Sequence, residues 1–564
     1  MSNSKEFDAI VIGSGITGGF AARELTAAGL KVLVLERSRP LEHRTGYTTE
    51  FITPWNAPNG GQLDRNEIAR DYPIQSDQPW GQFKWDNKHF WVNDRENPYV
   101  QGKPYHWHRA SVLGGRSLLW GRQCYRWSDI DFGANKRDGY GNDWPIRYKD
   151  LESWYGHVEK YMGISGENLG LAHFPDMELL PPMEMTAAEK LIKQKVRERW
   201  PDRYVTVGRT ANLTKEHNGR GPCNYRDICQ RGCSFGAYFS SLSASLPDAQ
   251  KTGNLTVRTH AVVESIELDA RTGEASGVRV LDSQTGERRT YTARLVFLNA
   301  STEGSVQVLL QSRSARHPNG LGNQGDALGR YICDHHGGGA FGVLPGLQDR
   351  YFYGRRANGI YVPRFRNLNG RDEGVDFDRG YVMQGGTTRM GWADMAGDGD
   401  DFGADYKKRL AAPGPWIAFL GGACEALPNK ANRITLDEHA RDSFGMPQLR
   451  FDVMRRENEL KLDEDSGREA AAMLEAAGAQ HIARIKIGEI PGTTIHVMGG
   501  ARMGHDPAES VLNGRNQVHG VPNLYVTDGS AMASSGCVNP SITFMAMTAR
   551  AVDHAVTSLK AGHA

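Results

Sequence analysis

The sequence predicts an α/β fold: a Rossmann-like nucleotide-binding domain joined to an α+β domain built on an antiparallel sheet. Three observations carry this. The N-terminal run FDAIVIGSGITGGFAARELTAAGLKVLVLE reads as strand, glycine turn, amphipathic helix and second strand. The stretch 341–490 holds alternating runs, GIYVPRFRN, YVMQGGTTRM and PWIAFLGGACEAL, of the period-two kind expected of half-buried antiparallel strands. The final segments return to strand-to-helix character. At 564 residues the chain exceeds one comfortable core, so two intertwined domains are expected. Residues 1–43, 101–340 and 491–564 are assigned to the nucleotide domain, 44–100 to an insertion or lid, and 341–490 to the second domain.

In the first element, Ala9 to Ile12 and Val32 to Leu35 are the apolar strands. Gly13, Gly15 and Gly18 between them permit a tight turn, approach of a pyrophosphate and close helix–strand packing. Glu36, 23 residues after Gly13, is placed to accept hydrogen bonds from an adenosine ribose. A glycine triplet alone is weak evidence; strand, helix, strand and acid in that order are strong evidence for a dinucleotide. The motif does not separate NAD from FAD. Another apolar strand, Leu295 to Leu298, leads into a helix-like stretch far down the chain, so the sheet is assembled from distant segments.

At the C-terminal end, TTIHVMGGARMGHD sets His496 near Gly499, Gly500 and Gly504, where backbone can pass close to a flat ligand. NLYVTDGSAM is a β-rich run ending at Asp528-Gly529, a loop suited to a cofactor's phosphate or ribityl chain. CVNPSITFMAMTARAVDHAV opens a helix with Asn539 as N-cap and Pro540 as first helical residue. Ile542, Met545, Ala546, Ala549, Val552 and Val556 follow at helical spacing. A neutral base, an amide and a positive helix end suit hydride removal from an alcohol. His496 would take the hydroxyl proton, Asn539 would hold the oxygen, and the helix dipole would stabilise negative charge on the reduced cofactor. Against this stand plainer roles. One histidine among 18 is by default a surface or packed residue, and capping is reason enough for Asn539.

With ASVLGGRSLLWGRQCYRWSDIDF and GNQGDALGRYICDHHGGG, these segments resemble the glucose–methanol–choline (GMC) oxidoreductase family, flavoproteins that oxidise alcohols and sugars. The resemblance implies FAD. It matches His496 to the family's catalytic histidine, Asn539 to its second active-site residue, and Asp528 and Gly529 to its late flavin-binding loop. Ser117 and Trp120 fall in the segment passing the isoalloxazine, and the implied flavin site takes in Gly114, Val262, Asn299 and Pro540. Pyranose oxidases carry the flavin on a histidine just before the corresponding tryptophan; Leu119 stands there in this chain, which implies non-covalent FAD. Cys333, Asp334, His335 and His336 look superficially like a metal site. Adjacent residues in an extended loop point to different sides, so the group is read as flavin-domain architecture.

Three of the seven cysteines, Cys223, Cys229 and Cys233, fall within eleven positions at C-x5-C-x3-C spacing. Soft thiolates so spaced can wrap an iron–sulfur cluster or one zinc ion, although structural zinc commonly uses four ligands in CxxC pairs. A disulfide plus a free thiol is the other option. The spacing is similar to that of the three-iron cluster of FAD-dependent bacterial sugar dehydrogenases, which implies a 3Fe-4S cluster as a one-electron exit.

Net charge is +1 without basic runs, so neither nucleic acid nor an anionic membrane is expected as main partner. No stretch approaches 18 apolar residues, and MSNSKEFDAI runs straight into the first strand, so neither a membrane span nor a signal peptide of its own is expected. Residues 44–110 are crowded with aromatics, among them Tyr47, Phe51, Trp55, Trp80, Phe83 and Trp91. They could pack on one another, form a lid or meet a partner. KLDEDSGREAAAMLEAAGAQ is expected to be a helix on the outer face of the second sheet. The segments around Gly114–Phe132 and Gly219–Gly236 most resemble glucoside 3-dehydrogenase catalytic subunits. That implies oxidation of a sugar or glycoside at C3, a cytochrome c or quinone acceptor, and a small partner subunit bearing the export signal to the periplasm, with a cytoplasmic location as the alternative. The rivals are an oxidase using oxygen, a C1-oxidising dehydrogenase, a lyase with a structural flavin, and a non-catalytic electron carrier.

Overall fold

The computed structural model describes residues 5–78, 82–348, 350, 356–391, 395–396 and 402–562. The first sheet is built on parallel strands in the order Val521–Val526, Arg288–Leu298, Phe7–Ile12, Val32–Leu35 and Leu255–Arg258. Their central residues are apolar almost without interruption because both faces are covered. Val11, Val34 and Phe297 meet the helices Ile16–Ala27 and Ser541–Lys560, while Ile10, Leu33 and Val296 enter the main core on the other side. The strands are parallel, so Gly13, Glu36, Asn299 and Asp528, each just beyond a strand's last residue, line up along one edge. Such an edge is where open α/β sheets bind ligands. Gly13 (φ +95°) is crossed by the neighbouring strand: a Cβ there would lie 2.4 Å from the Asn299 carbonyl oxygen. A Cβ on Gly18 would lie 2.0 Å from the Gly13 oxygen, so that glycine serves helix–strand packing.

A second sheet runs Met498–Gly500, Arg330–Cys333, Arg433–Arg441, Pro447–Asp452, Val100–Gln101. Cys333 faces Met498 across its first antiparallel pair. Continuing that register by two residues sets His335 opposite His496.

The third sheet has the expected antiparallel pairing, in the order Gln480–Ile487, Gly337–Leu344, Trp416–Cys424, Tyr381–Arg389, Ile360–Val362, Thr206–Val207. The helix Glu457–Ala476 covers one face, burying Leu462, Met473 and Leu474 against Ala340, Ala418 and Leu420. This sheet does not coincide with 341–490. Strand Gly337–Leu344 straddles that boundary, Thr206–Val207 and the helix Ala187–Arg199 join from earlier in the chain, and Arg433–Arg441 and Pro447–Asp452 belong to the second sheet. Long-range pairing, invisible to local periodicity, draws these lines.

The aromatic-rich insertion packs largely on itself. Tyr47, Phe83, Phe90 and Trp91 form a cluster that also covers Leu118 and Leu119. Phe51 and Trp55 stay exposed, at 70% and 81%. Trp80 lies outside the described residues. Among those described, no helix is long and apolar enough to cross a membrane.

Candidate active site

The carboxyl edge of the parallel strands opens into a cavity of about 1800 Å³. Its walls take in Gly13, Gly15, Glu36, Val262 and Asn299 at one end, and Asp528, Gly529 and Pro540 towards the other. Ser117, Trp120, His496 and Asn539 also line it. Gly18 and Gly114 stand behind the wall. The Gly114 amide donates to Ser14 Oγ at 2.8 Å, tying its loop to the glycine turn.

The residues fit a dinucleotide. The helix Ile16–Ala27 starts at Gly15 with no side-chain cap, leaving its first amides open to the crevice, a site suited to phosphate. Asn299 Nδ2 donates to Thr527 Oγ1 at 2.7 Å, and its Oδ1 is left buried without a partner on the cavity wall. Glu36 accepts from Ser14 Oγ at 2.6 Å and from the Ser38 amide at 2.9 Å, which fixes the carboxylate at the strand end. Asp528 accepts from Ser305 Oγ (2.5 Å) and Ser530 Oγ (2.6 Å); burial nevertheless pushes its pKa up. Trp120 donates its indole N–H to the Phe239 carbonyl at 2.9 Å, so its ring rather than its N–H is available to the cavity. Leu119 is buried in the aromatic cluster and offers no nucleophile.

His496 is held from three directions. Its backbone amide donates to Asp334 Oδ1 at 2.9 Å, and the same carboxylate accepts from the amides of Gly492 (3.0 Å) and Thr494 (3.2 Å) and from Thr494 Oγ1 (2.7 Å). Asp334 thus anchors the loop that presents the histidine. His496 Nδ1 lies 3.0 Å from His335 Nδ1. His335 Nε2 lies 3.1 Å from the Gly536 carbonyl and 3.3 Å from that of Ser535, which can only accept, so His335 carries its proton on Nε2. Its Nδ1 is then an acceptor, His496 must donate from Nδ1, and His496 Nε2 is left as the basic nitrogen. Burial first, then His335 and Arg116, hold the His496 pKa well below the usual histidine range, so the ring is neutral at physiological pH.

Asn539 sits 3.4 Å from that basic nitrogen through Nδ2, while its Oδ1 accepts from Gln384 Nε2 at 2.8 Å. The expectation of a helix cap fails here. The helix Ser541–Lys560 begins later, its N-cap position is Pro540, and no side chain caps it. Released from capping, the Asn539 amide faces the cavity. The apolar stripe from Ile542 to Val556 is buried as its spacing implies.

The four neighbouring residues at 333–336 go separate ways, as an extended loop requires. Asp334 braces the 492–496 loop and His335 meets His496. His336 Nδ1 lies 2.5 Å from Asp463 Oδ1. His336, Cys424 and Asp463 converge within 4.8 Å beneath the third sheet, with Arg455 3.6 Å from Asp463.

Cys223, Cys229 and Cys233 lie in one loop beside the same cavity, whose wall includes Cys229. Among the described residues these thiols are not gathered to the 4.8 Å mutual spacing that one small ion needs. All are free of disulfides. Burial raises Cys223 and Cys229, partly countered at Cys229 by the buried Arg122 guanidinium. Arg122 itself is drawn down by burial but raised overall by Cys229, Tyr238 and Cys223 beside it. The insertion clamps this loop: Glu50 pairs with Arg226 at 2.5 Å and Asp86 with Arg231 at 2.7 Å.

Sequence reasoning missed the work of Asp334 and His335, although it singled out their segment, and it missed Gln384 entirely. Gln384 comes from the third sheet and carries no motif; only the meeting of the sheets brings it to Asn539.

Models of the GMC oxidoreductase family match residues 7–336 and 428–548. The chain is 28% identical to 2-methyl-1,2-propanediol dehydrogenase of Mycolicibacterium austroafricanum, covering 98% of this chain and 96% of that one. It is 25% identical to the fructose dehydrogenase large subunit of Gluconobacter japonicus, covering 98% of each. Pyridoxine 4-oxidase from Mesorbium loti has the same fold, with a TM-score of 0.58 at 16% identity over 97% of this chain and 98% of that one. The carboxyl-edge crevice, the neutral histidine at its far end and these matches together show that the chain belongs to the GMC oxidoreductase family, FAD-binding enzymes that oxidise CH–OH groups.

Proposed function

We propose that the protein is an FAD-dependent dehydrogenase of sugars or glycosides that oxidises a secondary hydroxyl, at C3, to a keto group. The directed proton chain from the Ser535 and Gly536 carbonyls through His335 to His496, which leaves Nε2 as the base beside Asn539, carries the alcohol-oxidising part of this reading. The sugar and the C3 position rest on the resemblance of Gly114–Phe132 and Gly219–Gly236 to glucoside 3-dehydrogenase subunits. When bound, FAD supplies the hydride acceptor. His496 Nε2 accepts the hydroxyl proton, and the resulting imidazolium keeps its Nδ1 proton on His335. The Asn539 amide N–H steadies the substrate oxygen as negative charge grows, and Gln384 keeps that amide from turning over. With Leu119 in place of an attachment residue, the FAD is held non-covalently.

Cys223, Cys229 and Cys233 would hold an iron–sulfur cluster of the three-iron type, which supplies a one-electron exit to a cytochrome or quinone. Their spacing and the buried Arg122, whose charge favours thiolates, support this. The likeness to a protein named as a large subunit supports a partner subunit. That this partner is small and carries the chain to the periplasm rests on the resemblance to glucoside 3-dehydrogenases alone. Iron and sulfide analysis of the purified protein tests the cluster; absence of both removes it. Methyl glucoside incubated with the enzyme and an artificial acceptor, with the carbonyl carbon assigned by NMR, tests the regiochemistry. A 3-keto glycoside is expected. A lactone from free glucose with an inert glycoside would move the oxidation to C1, and peroxide release would make the enzyme an oxidase.

A further inference from the structure

The face of the third sheet turned away from the helix Glu457–Ala476 lines the same cavity as His496. The registers place Gln384, Gly421, Gly339 and Ile485 in one cross-strand row, and Gly386, Phe419, Phe341 and Ala483 in the next. The first row starts at the side chain that holds Asn539 and continues over two glycines, whose place above the backbone is taken by Ile487 and Phe419. The side chains around them are apolar. The Phe341 and Phe419 rings lie 4.7 Å apart, Phe341 is 39% exposed, and Ile417, Ile485 and Ile487 complete the wall. A Cβ on Gly421 would lie 2.4 Å from Ile487 Cδ1 and 2.6 Å from Phe419 Cζ, so the missing side chain is what lets these groups close into a continuous floor.

We infer that this floor binds an aromatic aglycone, and that the substrate class is aryl glycosides rather than free sugars. The inference rests on the sugar reading above and adds the group at the far end of the substrate. A glycoside whose ring hydroxyl reaches His496 Nε2 and whose ring lies against Gln384 and Asn539 extends next over Gly421 and Gly339. It meets there the Phe341–Phe419 ring pair and the isoleucines beside it. A flat apolar ring is what such a surface desolvates favourably.

The test uses FAD-loaded protein and anaerobic flavin reduction by methyl β-glucoside and phenyl β-glucoside. The phenyl compound should half-saturate at a concentration at least about tenfold lower, the effect of desolvating one ring. Phe341→Ala should bring the ratio of the two half-saturation values back towards one. Equal values for the two glycosides in the parent protein would overturn the inference while leaving the sugar reading standing, and so would a ratio unchanged by Phe341→Ala. If neither glycoside reduces the flavin, the sugar reading falls, and perturbation of the flavin absorbance by phenyl β-glucoside decides the floor. Binding weakened by Phe341→Ala sustains it; no binding overturns it.

Discussion

His496 gains its chemistry from three partners that lie far from it in the chain. Buried and neutral, with Nδ1 committed to His335, it has one basic nitrogen and one direction in which to use it. His496→Ala should therefore slow anaerobic flavin reduction by at least about a hundredfold, the scale of lost general-base catalysis, with FAD content near normal. Reduction at the parental rate would place the base elsewhere. Asn539→Ala makes a sharper demand, since the residue is not the helix cap its position suggested. Flavin reduction should fall while the melting temperature changes by no more than a few degrees, because the helix Ser541–Lys560 loses no capping bond. A large drop in melting temperature would return Asn539 to a structural role. His496 and Asn539 were legible as candidates from glycine punctuation and the Asn-Pro pair. Their tautomer and amide orientation were not, because these depend on His335 and Gln384, 161 and 155 residues away.

At the scale of elements, the cysteine loop joins the flavin wall to the aromatic insertion. Arg122 stands two residues beyond Trp120, donates to the Trp120 carbonyl at 3.2 Å, and sits near Cys229 and Cys223. Glu50 and Asp86 of the insertion hold the loop from the other side. Cys229→Ser should leave flavin reduction by substrate unchanged within about twofold but impair electron delivery to a cytochrome-type acceptor, measured by stopped-flow and steady-state assays side by side. Loss of folding would indicate that the thiols serve structure, and full delivery by a parent protein without iron would remove the cluster. The βαβ element and its glycines were readable because one motif contains all its constraints. The role of the insertion was not, because Tyr47 packs on Gly232 and Glu50 pairs with Arg226 only once two distant loops meet.

For the whole molecule, burial of neutral histidines sets the response to acid. Burial chiefly lowers His43 and His89 to about 4 and His108 to about 3. Their folded pKa values lie below the unfolded value of about 6.5, so the unfolded chain binds protons first as pH falls. Their stabilising effect is complete above about pH 6.5 and erodes down to the range of 3 to 4. Asp131, raised to about 6 by burial, opposes this, since the folded form takes its proton earlier than the unfolded form does. The histidines lowered by burial, with His496, His335, His106 and His173 among them, outnumber the raised carboxyls Asp131, Asp528 and Glu303, so the melting temperature should fall between pH 7 and pH 5 at saturating FAD. A constant or rising value would contradict the balance. If the FAD is held non-covalently, as Leu119 at the position of the pyranose-oxidase attachment histidine implies, denaturing the protein should release all yellow colour into the supernatant. Colour kept on the precipitated chain would refute non-covalent binding.

What the sequence determined by itself is local and periodic. The parallel-strand runs, the glycine turn with its acid, the alternating strands of the third sheet and the apolar stripe of the last helix all depend on spacing within a few turns or strands. The family resemblance and the candidate histidine follow from the same short segments. Tertiary structure alone decided which groups share a volume. The register of Cys333 against Met498 placed His335 on His496, an interior strand of a different sheet brought Gln384 to Asn539, and Gly421 let Phe419 and Ile487 close into one floor. Those contacts join residues far apart in the chain, and the energy that selects them comes from packing and hydrogen bonding that exist only after the sheets have met.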